Sequence, residues 1–131
     1  MKSLSRRARL VIIGLLGLAF LSLACTPEQL ALSQQYANYL NKDRHVISDA
    51  SLAALRQCES GGNYAAVSPG GTYRGAYQFS QSTWNAVASR HFSFLVGDDP
   101  AATTPARQDA MARALYSEAG RSPWPVCGQR I

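Results

Sequence analysis

Glu59 is the side chain in this sequence best placed to move a proton. It stands in Cys58-Glu59-Ser60-Gly61-Gly62-Asn63-Tyr64, where one acid follows a cysteine and precedes two glycines, an amide and an aromatic. Leu52, Leu55 and Cys58 recur at three-residue steps on one face of a helix, and Ser48-Asp49 can cap its start. Glu59 comes four positions after Leu55, so it borders that apolar stripe near the helix end. A carboxyl at the edge of an apolar face is partly desolvated, which favours its protonated form. Such an acid can be aimed into a cleft, and Asn63 and Tyr64 suit a cleft lined for sugars. Taken alone, the segment reads first as a solvated helix end that Gly61-Gly62 terminates.

The chemistry expected of a lone acid is protonation of a leaving oxygen. Glycosidic cleavage needs that proton together with stabilisation of an oxocarbenium-like centre. The acid must stay protonated near neutral pH, which an apolar setting can achieve. Tyr64, Tyr77 and Phe79 are candidate walls, and Tyr73, Tyr77, Phe79 and Trp84 are aromatics that could stack on sugar faces or fill a core. The downstream acids are Asp98, Asp99, Asp109 and Glu118, none of them in a catalytic pattern. Asp98-Asp99-Pro100 reads as a solvated turn, and Arg74 as facing solvent. His45 and His91 are the only histidines, so no convincing zinc set emerges. No glycine-rich phosphate loop follows a strand. The expectation is no cofactor and no metal.

The elements that must hold these residues follow from punctuation and period. Met1 to Arg9 carries Lys2, Arg6, Arg7 and Arg9 without an acid, and Leu10 to Ala24 is almost wholly apolar. This is the pattern of an export signal, residues 1–24, with an apolar run shorter than the roughly 18 residues of a membrane span. Leu21-Ser22-Leu23-Ala24-Cys25 also resembles a lipoprotein box, which would lipidate Cys25. Secretion, lipid anchoring at Cys25 and an uncleaved signal anchor all remain open. The chain carries 13 Lys and Arg against 8 Asp and Glu, and four of the basic residues lie in this leader. The remainder is nearly neutral, which removes the case for nucleic-acid binding. Export permits disulfides. Cys58 and Cys127 form the natural pair, leaving Cys25 lipidated, free or bridging two chains.

Residues 25–50 read as a linker with an amphipathic helix from Thr26-Pro27 to Lys42. Gly61 to Gly75 is loop, Tyr73 to Phe79 a short hairpin, and Ser80 or Ser82 caps a helix through Trp84. Thr103-Thr104-Pro105 opens another helix, with Ala110, Met111, Ala114 and Leu115 on one face. The sum is an α+β domain, mostly helical with a small β element.

Three blocks carry a resemblance. Leu55-Arg56-Gln57-Cys58-Glu59-Ser60-Gly61-Gly62-Asn63-Tyr64, then Gly75-Ala76-Tyr77-Gln78-Phe79-Ser80-Gln81-Ser82-Thr83-Trp84, then Trp124-Pro125-Val126-Cys127 resemble, in order and spacing, the catalytic domain of the resuscitation-promoting factors. These are secreted actinobacterial cell-wall enzymes of the lysozyme and lytic transglycosylase superfamily. The resemblance implies a small lysozyme-like fold over residues 51–131 with one disulfide, Cys58 to Cys127. It implies cleavage of the β-1,4 bond between N-acetylmuramic acid and N-acetylglucosamine, with Glu59 as the catalytic acid. Gln78 and Thr83 would face the glycan, joined as substrate-binding residues by Asn63, Tyr64, Tyr77 and Trp84. Ser80 stands where some members carry Asp, and Tyr64 where Trp is frequent. The partner would be peptidoglycan glycan strands, met by a monomer that is secreted or lipid-anchored in a bacterial envelope. If no second carboxylate faces Glu59, the muramic acid 6-hydroxyl can attack its own C1 and leave a 1,6-anhydro end. A glycan-binding module without turnover is the alternative, and a lipoprotein spacer a third reading.

Overall fold

The computed structural model describes residues 25–131; the signal peptide expected over residues 1–24 lies outside them. The chain divides into two compact units, Met1–Gln35 and Tyr36–Ile131. Helix α1 (Pro27–Leu40) begins in the first unit. There the Thr26 hydroxyl accepts from the Gln29 amide while the Gln29 side-chain carbonyl accepts from the Thr26 amide, at 3.2 and 2.9 Å. This reciprocal cap explains why the helix starts at Pro27, whose missing N–H costs nothing at that position.

The second unit opens upstream of residue 51, the domain start read from sequence. Leu40 and Ile47 are buried in its core, and the Tyr39 hydroxyl donates to the His91 carbonyl at 2.7 Å. Helix α2 (Asp49–Ser60) starts at Ser48, whose hydroxyl accepts from the Ser51 amide. It ends where Gly61 turns left-handed at φ 65°, and the Gly61 and Gly62 amides return to the carbonyls of Gln57 and Arg56. Glycine alone takes that turn without a Cβ penalty.

Strands β1 (Tyr73–Arg74) and β2 (Phe79–Ser80) pair antiparallel, Tyr73 opposite Ser80 and Arg74 opposite Phe79. Helix α3 (Gln81–His91) follows at once, capped by the Ser80 hydroxyl on the Thr83 amide. Helix α4 (Pro105–Ala119) comes after two short 3-10 turns, and a third, Cys127–Arg130, closes the chain. Leu52 and Leu55 of α2, Trp84 and Val87 of α3 and Met111 of α4 are almost fully buried together with Phe92 and Leu95. The Cys58–Cys127 disulfide ties the last turn of α2 to the C-terminal turn. The second unit is thus a small α+β domain of lysozyme-like character, mostly helical, with one hairpin and one bridge.

The turn at Asp98-Asp99-Pro100 is not simply solvated. The Arg74 guanidinium donates to both Asp99 carboxylate oxygens, at 2.6 and 2.5 Å, so neither residue merely faces water. Asp99 Oδ1 also accepts from the Ala101 amide and caps the following turn. Arg74 holds the Asp99 carboxyl below the usual carboxylate range.

Candidate active site

Glu59 occupies the penultimate position of α2 and is half-buried. It lines a cleft of about 340 Å³. The hairpin side of that cleft contributes Tyr73 and Gln78, and the C-terminal tail contributes Pro123 to Cys127. The disulfide next to Glu59 fixes the tail as the opposite wall. Among the described residues no hydrogen bond or ion pair reaches the Glu59 carboxylate, and no second Asp or Glu lines this cleft. Burial alone pushes its pKa up, because the charged form loses water without gaining a partner. A larger groove, lined by α1, α2 and α4, shares no residue with this cleft.

A smaller cleft of about 150 Å³ shares Tyr73, Gln78, Pro123 and Trp124 with the first and adds Tyr77, Phe79, Ser80, Thr83 and Leu115. Gln78 therefore borders both. Its backbone is left-handed, φ 53°, and it is the only non-glycine residue with positive φ among those described. Its side-chain amide donates to the Gly75 carbonyl at 3.0 Å. Thr83 Oγ1 accepts from the Ser80 hydroxyl at 2.9 Å. Tyr73 is 52% exposed and borders both clefts, which makes it the aromatic most open to a ligand there.

Of the residues expected to touch the glycan, Trp84 and Tyr77 are buried, while Tyr64 and Asn63 have partners within the chain. Trp84 is 0% exposed, its indole N–H donates to the Leu95 carbonyl at 2.9 Å, and its ring meets Phe79 edge-on, so it is core. Tyr77 is 1% exposed and donates its hydroxyl to Asp109 at 2.6 Å. Burial and that carboxylate together push its pKa far up. Tyr64 donates to the same Asp109 oxygen at 2.8 Å, lies beneath the Arg56 guanidinium and lines neither cleft. Asn63 is exposed, and its side-chain carbonyl accepts from the Ala65 amide in a local turn. Trp84 and Tyr77 are committed to the core, Tyr64 to the Asp109 carboxylate and Asn63 to its own turn.

Two residues that position the cleft are absent from the sequence reading of the site. Gln108 is 1% exposed; its Oε1 accepts from the Ala76 amide, and its Nε2 donates to the carbonyls of Tyr64 and Thr103. It holds the loops that flank the hairpin. Its signal was its place on the Met111 and Leu115 stripe of α4, where a polar residue must find partners. Asp109 gathers Tyr64, Tyr77 and, at 4.0 Å, Arg56. Only the fold brings those three to one carboxylate. Cys25 is exposed and unpaired. Among the described residues no group of three or more His, Cys, Asp or Glu could hold a metal ion, and no helix is long and apolar enough to cross a membrane.

Residues 47–127 match the family described as transglycosylase-like domain. A probable transglycosylase SceD 3 of Staphylococcus saprophyticus is 43% identical over 76 residues, which is 58% of this chain and 31% of that protein. The resuscitation-promoting factor RpfC of Mycobacterium tuberculosis is 43% identical over 75 residues, 57% of this chain and 48% of that protein. A probable transglycosylase SceD of Staphylococcus aureus strain Newman is 42% identical over 76 residues, 58% of this chain and 32% of that protein. The chain thus spans about a third to a half of the length of these curated relatives.

Proposed function

The chain belongs to the transglycosylase-like domain family, and from that premise we propose that it cleaves the glycan strands of bacterial peptidoglycan with Glu59 as general acid. The observation that carries the reading is the Glu59 carboxyl: half-buried, without a partner among the described residues, and lining a cleft walled by the hairpin and the tail. The relatives' names, probable transglycosylase and resuscitation-promoting factor, support a transglycosylase class of reaction.

The bond cleaved is the β-1,4 link between N-acetylmuramic acid and N-acetylglucosamine. Protonated Glu59 gives its proton to the linking oxygen as the bond to the muramic C1 breaks, and the N-acetylglucosamine side leaves as an alcohol. The muramic 6-hydroxyl then attacks C1 and returns its proton to the Glu59 carboxylate, which restores the acid. The product is a 1,6-anhydro end, formed with no net uptake of water. What favours this route over hydrolysis is that, among the described residues, Glu59 is the one carboxylate lining the cleft, whereas the usual hydrolytic routes place two facing the bond. Gln78, Thr83 and the open Tyr73 are the residues we assign to the glycan. The enzyme works outside the membrane, delivered by the leader of residues 1–24 and either released or held at Cys25.

Purified cell wall digested by the wild type and by Glu59→Gln tests the reading. Anhydro-ended fragments from the wild type alone are expected. Hydrated ends, heavier by one water, would replace the transglycosylase route with hydrolysis. Absence of products from both proteins, with wall still bound, would establish the binding-module alternative.

A further inference from the structure

Charge pairing singles out one arginine beside the Glu59 cleft. Arg44, Arg56, Arg74, Arg90, Arg107 and Arg113 each have a carboxylate within 4.0 Å. Among the described arginines only Arg121 and Arg130 have none. Of these two, Arg121 lines an open cleft of about 340 Å³ together with Ser122, Trp124, Pro125, Gly128 and Gln129. Trp124 and Pro125 also wall the Glu59 cleft, so the two clefts adjoin.

The guanidinium is carried on a fixed backbone. The Arg121 carbonyl accepts from the Trp124 amide at 3.0 Å, and the Trp124 carbonyl accepts from the Gly128 amide at 2.7 Å. A Cβ on Gly128 would lie 2.6 Å from the Arg121 carbonyl oxygen, so glycine lets the C-terminal turn rest against Arg121. The Trp124 indole N–H donates to the Tyr77 carbonyl at 3.1 Å, and the disulfide at Cys127 pins the same turn to α2. The Arg121 side chain is exposed, and no hydrogen bond or ion pair reaches its guanidinium among the described residues. It is not a counter-ion for Glu59 either, whose carboxyl feels burial and no charged neighbour.

A planar fork of donors without a partner, set on a rigid turn beside the cleft of the acid, suits a carboxylate that arrives with the ligand. A peptidoglycan strand brings such groups. Its muramic residues carry stem peptides, which project sideways from the glycan and bear carboxylates. We propose that Arg121 binds a stem-peptide carboxylate of the strand seated in the Glu59 cleft, the stem crossing the wall of Trp124 and Pro125. The chain thereby selects strands that keep their stems. The inference rests on the glycosidase reading for the identity of the strand. Arg121 meets the stem and not the bond that breaks, so it acts on KM rather than kcat.

The test compares the full-length wild type with Arg121→Gln on intact peptidoglycan and on glycan strands stripped of their stems by an amidase. On intact wall the variant should lose about tenfold in kcat/KM, through KM, the value of one charge-assisted contact. On stripped strands the two proteins should match. The wild-type preference for intact wall should shrink at high salt. Arg121→Lys keeps the charge and should recover part of that preference. Melting temperatures should not change, because the side chain supports nothing in the fold. A second readout is binding of N-acetylmuramyl-L-alanyl-D-glutamate, which has no glycosidic bond to break, followed by amide shifts of the isotope-labelled chain. Saturable shifts at Arg121 are expected, with Kd on the order of 1 mM for the wild type and several-fold weaker binding by Arg121→Gln. Full kcat/KM of Arg121→Gln on intact wall, an equal loss on both substrates, no binding of the muramyl peptide by the wild type, or identical binding by the two proteins would each overturn the assignment. A wild type that cuts neither substrate, yet binds the muramyl peptide through Arg121, would sink the cleavage proposal and leave this site standing.

Discussion

Glu59 differs from the other carboxylates described in its neighbourhood. Asp49, Asp99 and Glu118 sit on arginines, whose charge and hydrogen bonds hold them low. Glu59 has only burial, which pushes it up. The sign for stability follows. The folded state favours the proton, so the fold is not penalised at this site below the ordinary glutamate range. Stability is lost as pH rises through the raised folded value. Glu59→Gln removes the ionised form, and its melting temperature at pH 7 should equal or exceed that of the wild type. The same variant should lose about 10²- to 10⁴-fold in wall-cleaving rate, the usual contribution of a general acid. The wild-type rate should fall on the alkaline side as Glu59 gives up its proton. Assays over pH with melts at each point check all three, and a Glu59→Gln enzyme of full rate would end the assignment.

The hairpin and its loop set what faces Glu59, and two residues of that element make opposite predictions. Gly75 has φ 81°, and a Cβ there would lie 2.5 Å from Gln108 Oε1 and 3.2 Å from the Pro100 carbonyl. Gly75→Ala must therefore displace the Gln108 amide and strip the buried Ala76 N–H of its acceptor. A loss of about 3 kcal/mol in denaturant unfolding is expected. Gln78 also has positive φ, yet its side chain borders both clefts. Gln78→Gly relieves that backbone and should leave stability unchanged or raise it by up to about 1 kcal/mol. If Gln78 holds the glycan, kcat/KM should drop by roughly tenfold, the value of one good hydrogen bond. A stable variant with intact kcat/KM would remove Gln78 from the site. A wall of the cleft thus depends on two residues at φ values that side chains rarely adopt.

Across the whole molecule the decisive link is the bridge from Cys58 to Cys127, 69 positions apart. It restrains a long unfolded loop, and the chain-entropy account assigns it about 4 kcal/mol. It also holds the tail as the wall facing Glu59. Reduction should lower the melting temperature by more than about 10 °C for a domain of this size. Wall cleavage should slow as well, because the tail is freed. An unchanged melting temperature in reductant, with the thiols shown free by alkylation, would refute that role.

Local chemistry made much of this legible in the chain itself. Ser48, Ser80 and Pro105 marked helix starts, Gly61 marked a stop, and the stripe of Leu52, Leu55 and Cys58 placed Glu59 at a helix end beside the core. These signals are local because caps, periodicity and left-handed turns involve residues a few positions apart. Tertiary structure alone decided which aromatics are open and which are buried. Tyr73, Tyr77 and Trp84 share a chemistry and a stretch of chain, but Tyr77 reaches Asp109 and Trp84 reaches the Leu95 carbonyl. Only Tyr73 stays over half exposed beside the cleft. The Arg74–Asp99 pair, the Gln108–Ala76 contact and the Arg113–Asp49 pair are likewise joined across 25 or more positions. Such partners are set by how the helices pack, and packing is decided by the sum of many weak contacts rather than by any one segment.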